Sequence, residues 1–354
     1  MFNNYISMEQ LIHSLKTAIA CSCAYLLAVA VGQPADQWIV ISTIVVMSAQ
    51  IYVGSILHKS YLRLLGTLLG CLTATATILL FPHSFATTLA TIAFAGFLFS
   101  FIATSNENLS QMGTLGAVTT IIILFGHPPS LTFAVMRFME ISLGIVIATL
   151  VSQFIFPIHA RTHLRRAQAT TLRQIRDYYT AVIMQRFSEE DIANRNELDE
   201  IIVKSLLKQR QLAREAAPEL IGKRFDPQHF ARSLYSEREI LRAINFMDIA
   251  LSKIGELRTI YTDQNPLTPF SNAIVKALDI LTSVMRTNQP GETPIHLPAI
   301  TSLTNALHQY PHLTTADHRI YVNGFVFSAE VLVTSLRELA LLYKIPMLDE
   351  TPKE

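Results

Sequence analysis

Lys16, Lys59, Arg63, Arg137 and Glu140 are ionisable side chains set in otherwise apolar stretches. A charge placed there is costly to hold, about 2.5–3.5 kcal/mol for a central Lys, Arg or Asp on insertion scales, and marks a path for ions or protons by default. Lys59 and Arg63 fall four residues apart, on one helical face, inside "HKSYLRLLGTLLG" at 58–70. Two readings of them stay open. Their charges can snorkel to lipid phosphates while the stems cover apolar surface, or Arg63 can point inward and, with Lys16, form an electropositive vestibule for an anion. Arg137 and Glu140, in "RFME", are spaced i,i+3 and share a face. As a closed pair they lower each other's cost of burial. If the pair opens, Glu140 loses its counter-charge and can take up a proton, which would couple anion movement to a proton gradient.

The elements that carry these groups are apolar helices. Only four of the 28 Lys and Arg residues, and four of the 27 Asp and Glu, precede Pro157, so the first half has a membrane composition and the second a soluble one. Six stretches in the first half have the roughly 17–25 residues a span needs: 11–31, 38–56, 64–81, 85–105, 109–125 and 133–156. They are apolar on every face, unlike the alternating strands of a barrel, and are separated by "GQPADQ", "LHKSYLR", "PHS", "NEN" and "GHPPS". Lys16, Lys59, Arg63, Arg161, Arg165 and Arg166 fall on one side of this arrangement, which places both termini in the cytoplasm. Trp38 then anchors the outer interface, and the N-terminal stretch is not a cleaved signal peptide.

The predicted fold is therefore all-α, a six-helix transmembrane bundle over 1–157 followed by a cytoplasmic helical domain over 158–354. Gly66 and Gly70 form a small-xxx-small face that would bring span 3 close to span 1. "GTLLGCLTATATILLFP" in span 3 has a counterpart, "GTLGAVTTIIILFGHP", starting at Gly113 and including Gly116, which hints at a parallel internal repeat. The three cysteines lie inside spans, with no disulfide framework. His159 and His163 are spaced i,i+4 but lack a third metal ligand of fitting spacing. The soluble half reads as amphipathic helices near 160–187, 190–216, 227–261, 267–286, 297–309 and 316–343, with a capping box at 188–191. It has no phosphate loop, His-Glu-x-x-His or nucleophile elbow, and its interleaved charges describe a solvated face rather than a nucleic-acid surface. Neither an enzyme nor a cofactor is implied.

The stretch Leu15–Gly70 resembles the membrane module of the fusaric acid resistance, or aromatic acid exporter, proteins. Its marks are a basic residue entering span 1, a Pro before the Trp that opens span 2, a Gly after that span, and Arg-x-x-Gly-Thr-x-x-Gly opening span 3. They fall on Lys16, Pro34, Trp38, Gly54, Arg63, Gly66, Thr67 and Gly70. The resemblance covers about residues 10–160 and is shared in build with the plant aluminium-activated malate channels. It implies six spans and a cytosolic helical domain, a homodimer in the bacterial inner (plasma) membrane, and organic anions as the substrate.

Two classes of function follow. One is an exporter or passive channel for organic or aromatic carboxylates, using Lys16, Arg63 and Arg137 as counter-charges and Glu140 as the titrating group. The other is a membrane-anchored scaffold whose helical domain binds a partner. Six spans exceed what an anchor requires, and intramembrane charge is costly to keep without use, so transport is the favoured class.

Overall fold

The computed structural model describes residues 8–30, 37–48, 50–81, 85–106, 109–126, 130–184, 189–219, 225–253, 267–287, 293–308 and 316–348. These divide into two compact units, Met1–Ala160 with Pro218–Arg224, and Arg161–Ala217 with Phe225–Glu354.

The first unit holds α1 (Met8–Ala30), α2 (Gln37–Met47), α3 (Val53–Leu80), α4 (Phe85–Ser105), α5 (Ser110–Leu124) and α6 (Leu131–Phe154). Four of them, α1, α3, α4 and α6, are long and apolar enough to cross a membrane, while α2 and α5 are shorter. The buried face of α1 is Lys16, Ala20, Ala24 and Ala28, a four-residue repeat of small side chains headed by one cation. Such a stripe lets a neighbouring backbone approach closely. The Ser130 hydroxyl caps α6 by accepting from the Phe133 N–H at 3.2 Å.

One core joins α1, α2 and α6 through Ala20, Ala24, Ile39, Val46, Ile145 and Ala148. A second joins Cys71 and Ala74 of α3 to Ile123 of α5 and Ala134 of α6. Between them, α3 and α6 run antiparallel, with the Ser60 and Thr149 hydroxyls 3.1 Å apart and the Cys71 thiol facing the Ala134 carbonyl.

The second span differs from the expectation. Its helix stops at Met47, and residues 50–52 are not helical, Tyr52 being extended. Neither Gly nor Pro marks this break between Trp38 and Val53. "LHKSYLR" is not a connector at all, because α3 begins at Val53 and runs straight through it. Arg63 therefore sits about three turns inside a helix, roughly 15 Å from its start, rather than at its mouth. The Val53 N–H donates to the Ile158 carbonyl at 3.1 Å, and the Ala160 N–H to the Glu219 carboxylate at 2.5 Å. Those two bonds tie the segment after α6 on both sides, next to Phe156, whose φ of 45° puts it in the left-handed region.

The second unit is built from α7 (Ala160–Met184), whose first residue still belongs to the first unit, α8 (Glu189–Ala216), α9 (Pro227–Lys253), α10 (Leu267–Thr287), α11 (Ile300–His308) and α12 (Ala316–Leu342). Asp226 starts α9, its carboxylate accepting from the Gln228 and His229 N–H groups, with Pro227 in the first helical position. Lys344, at φ 55°, ends α12 in a left-handed cap, with the Ile345 N–H returning to the Ala340 carbonyl. Apolar side chains of all six helices share one core, including Tyr179, Ile202, Ile244, Leu278, Leu307 and Leu336. The fold is not purely helical, since β1 (Ile295–His296) pairs in parallel with β2 (Met347–Leu348). Two residues per strand leave no hydrophobic period for sequence reading to detect. The proposed capping Ser188, the end of the expected helix at 254–261, Pro34 and most of "GHPPS" lie outside the described residues.

Candidate functional site

The sequence-predicted residues fall into three places along α6. Nearest its C-terminal end is Lys16, fully buried, whose Nζ donates to the Ser152 carbonyl at 3.1 Å. Arg63 lies further in. Interpolating between the Ser60–Thr149 and Cys71–Ala134 contacts puts it level with about residue 145 of α6, roughly 10 Å along the axis from Ser152. Arg137 and Glu140 occupy the first half of α6, with Glu140 roughly 18 Å from Ser152.

At the Arg137 end every charge is answered. The guanidinium makes a 2.7 Å ion pair with the Glu140 carboxylate. It also lies over two aromatic rings, 5.0 Å from the Trp38 centroid and 4.8 Å from that of Phe133. Cation–π contacts of this kind are worth about 0.5–2 kcal/mol each, the more so when water is excluded. Trp38 thus holds the start of α2 against α6, besides any role at an interface.

Arg63 is treated differently. It is 4% exposed, its Nε has no hydrogen-bond partner, and it forms no ion pair among the described residues. On the same helix the Ser55 and Thr67 hydroxyls are also buried without partners among the described residues, as is the Ser152 hydroxyl beside Lys16. Lys16 likewise has no carboxylate against it among the described residues; its ammonium donates to a backbone carbonyl. Buried cations and idle donors make a region short of one thing, an acceptor with negative charge. The orphan hydroxyls carry no sequence signature, because Ser and Thr in membrane helices commonly bond back to their own turn, as Thr73 and Thr91 do here.

The glycines fix how α3 is held. A Cβ at Gly66 would run into the Met112 carbonyl, and one at Gly70 into the Gly116 carbonyl and the Thr119 side chain. The partner is therefore α5, not span 1 as the spacing suggested. The two helices run parallel at this contact, so the two halves of the apparent repeat lie against each other. The Thr120 hydroxyl adds a bond to the Gly70 carbonyl at 3.2 Å. Gly113 and Gly116 receive α4, against the Phe99 backbone, Ala103 and the Phe99 ring. Gly144 does the same for α2 at Ile39 and Ser42.

Compared with known families, residues 10–217 match the model of the fusaric acid resistance protein family, which is more than half of the 354-residue chain. The chain belongs to this family. Comparison with curated proteins gives no match. The family match and the long apolar helices together make it an integral membrane protein. The match runs past the membrane helices through α7 and α8, so the family's shared body includes the start of the second unit. Lys16, Trp38, Arg63, Arg137, Glu140 and the packing glycines all lie within it, whereas α9 to α12 do not. No cluster of three or more His, Cys, Asp or Glu able to hold a metal occurs among the described residues.

Proposed function

We propose that this fusaric acid resistance family protein exports organic or aromatic carboxylate anions across the inner membrane, and that Arg63 and Lys16 bind the anion on its way. The observation that carries the reading is the burial of two cations with no carboxylate against either among the described residues. A carboxylate would supply the missing charge and accept from the idle guanidinium N–H. The planar fork of Arg63 suits it better than an ammonium would. Family membership supports transport as the class.

In this reading α1 to α6 all cross the bilayer, α2 with the non-helical 50–52 that follows it, and the Lys16 end faces the cytoplasm. A non-helical stretch at membrane depth is tolerated where it lies within protein or lines a polar cavity, the arrangement transporters use at their sites. The anion steps from Lys16 to Arg63 and leaves past Arg137. Opening of the Arg137–Glu140 pair would free Glu140 to take up an external proton and couple the two fluxes. Two copies would form the working assembly.

Liposomes containing purified protein, loaded with labelled benzoate or succinate, test this. Efflux above protein-free vesicles is expected, reduced by Arg63→Gln in protein that still assembles. No efflux for either probe leaves the scaffold reading in its place. Efflux indifferent to an imposed pH difference would reduce the mechanism to a passive channel. A reporter fused after Arg166 should be cytoplasmic and one inserted at 126–130 external; cytoplasmic labelling of the latter overturns the six crossings.

A further inference from the structure

The middle of the second unit contains a polar network that the transport reading does not use. Glu237 of α9 is fully buried. Its carboxylate accepts from the Gln209 amide at 2.7 Å and the Ser233 hydroxyl at 3.2 Å. From α7 the network adds Gln168, which donates to Ser233 and to the Tyr343 hydroxyl, and Thr171, which accepts from Gln209 at 2.8 Å. From α8 it adds Ser205, 2.7 Å from Thr171. From beyond α12 it adds Tyr343, 3.1 Å from Ser233. Among the described residues, the titratable groups against it are Tyr343, His229, which packs edge-on to the Tyr343 ring, and Glu338, bonded to Ser236 one position before Glu237. No cation faces Glu237 among the described residues.

A buried carboxylate ringed by neutral groups is stable only while its charge is small. Gln209 donates twice through its amide nitrogen, to Glu237 and to Thr171, while its carbonyl oxygen is buried with no partner among the described residues. Among the described residues the network has no cation to balance a carboxylate, and a proton on Glu237 removes the charge that this neutral shell leaves unanswered.

We propose that Glu237 is a proton-operated latch, holding α7 and α8 against α9 and α12 when protonated and loosening them when it ionises. Burial pushes the Glu237 carboxyl up to about 7, against the pull of its bonds from Gln209, Ser233 and Gln168. The group changes state within the range a cytoplasm or periplasm visits. The sign follows from linkage. The folded value lies above the ordinary 4.5, so the stabilisation is complete below about 4.5, shrinks as pH rises, and is gone above about 7. Alkaline conditions therefore loosen this unit and mild acid tightens it, the reverse of a salt-bridged carboxylate.

Hydrogen exchange on the full-length protein in detergent, corrected for the intrinsic pH dependence of exchange, tests the latch. Protection of amides in α9 and α12 should fall about tenfold between pH 6 and pH 8 in the wild type. Glu237→Gln, or Glu237→Leu if the amide does not fold, should make protection independent of pH. A wild type with no such fall overturns the proposal. So does a variant that keeps it, since the responsible proton would then sit elsewhere.

Discussion

Arg63 and Arg137 are the two arginines of the membrane half, and the fold handles them in opposite ways. Arg137 has an ion pair and two aromatic rings around it, so its charge is answered within a few ångströms. Arg63 is buried more deeply, with none of these among the described residues. A paired charge stabilises a fold and meets no passing ion while the pair stays closed. An unanswered one is a standing cost that evolution has reason to keep only if something transient answers it. In the proposed transport reading the contrast makes Arg137 the held charge, released only when its pair with Glu140 opens, and Arg63 the charge that meets the anion.

The comparison breaks most visibly if Arg137 is removed. Arg137→Gln strands the Glu140 carboxylate in a buried site and should cost about 3–5 kcal/mol of stability, read as a lower melting temperature in detergent. Replacing both partners, Arg137→Met with Glu140→Leu, should recover most of that loss. An unchanged melting temperature in the single variant would show that the pair holds nothing together.

Arg63→Gln should act in the other direction. Flux of benzoate or succinate should drop at least tenfold, about 1.4 kcal/mol in the barrier, while the melting temperature stays level or rises. Lost stability with preserved flux would reverse the assignment and make Arg63 the structural residue. Lys16→Gln should lower flux only a few-fold, about 1 kcal/mol or less, because its ammonium is already partly held by the Ser152 carbonyl. The smallest change in magnitude is expected for Glu140→Gln, which should leave flux near the wild-type level under symmetric pH. Its effect is one of kind, since the response to an imposed pH difference should disappear. If that response survives, Glu140 does not carry the coupling proton.

Much of this division could be read from residue types. The long apolar stretches, the i,i+3 spacing of Arg137 and Glu140, and the glycine pattern at 66 and 70 are local signals, and local signals survive folding. The helices of the second unit were also visible, because their apolar residues recur at helical spacing: 267–286 was expected and Leu267–Thr287 is found. What stayed hidden depends on contacts between distant residues. Nothing near Gly66 says that its partner is Met112, or that Arg137 lies between Trp38 and Phe133. The break after Met47 lacks the Gly or Pro that would announce it. Gln168, Gln209, Glu237 and Tyr343 look like ordinary polar residues on separate amphipathic helices, and only their convergence makes them a network.

The glycine contacts have a mechanical consequence. Where backbone meets backbone with no side chain between, as at Gly66 and Gly70 against α5, Gly113 against α4 and Gly144 against α2, two helices cannot slip without collision. Such pairs behave as welded plates. The α3–α6 seam is different, being bridged by a pair of hydroxyls and a thiol, groups that can let go of one partner and take another. Shear during transport should therefore run along that seam, with α3, α4 and α5 on one plate and α2 and α6 on the other, and Arg63 is carried on its edge. A disulfide between Ser60→Cys and Thr149→Cys should then arrest flux, and one between Gly70→Cys and Gly116→Cys would not even form without deforming the plate.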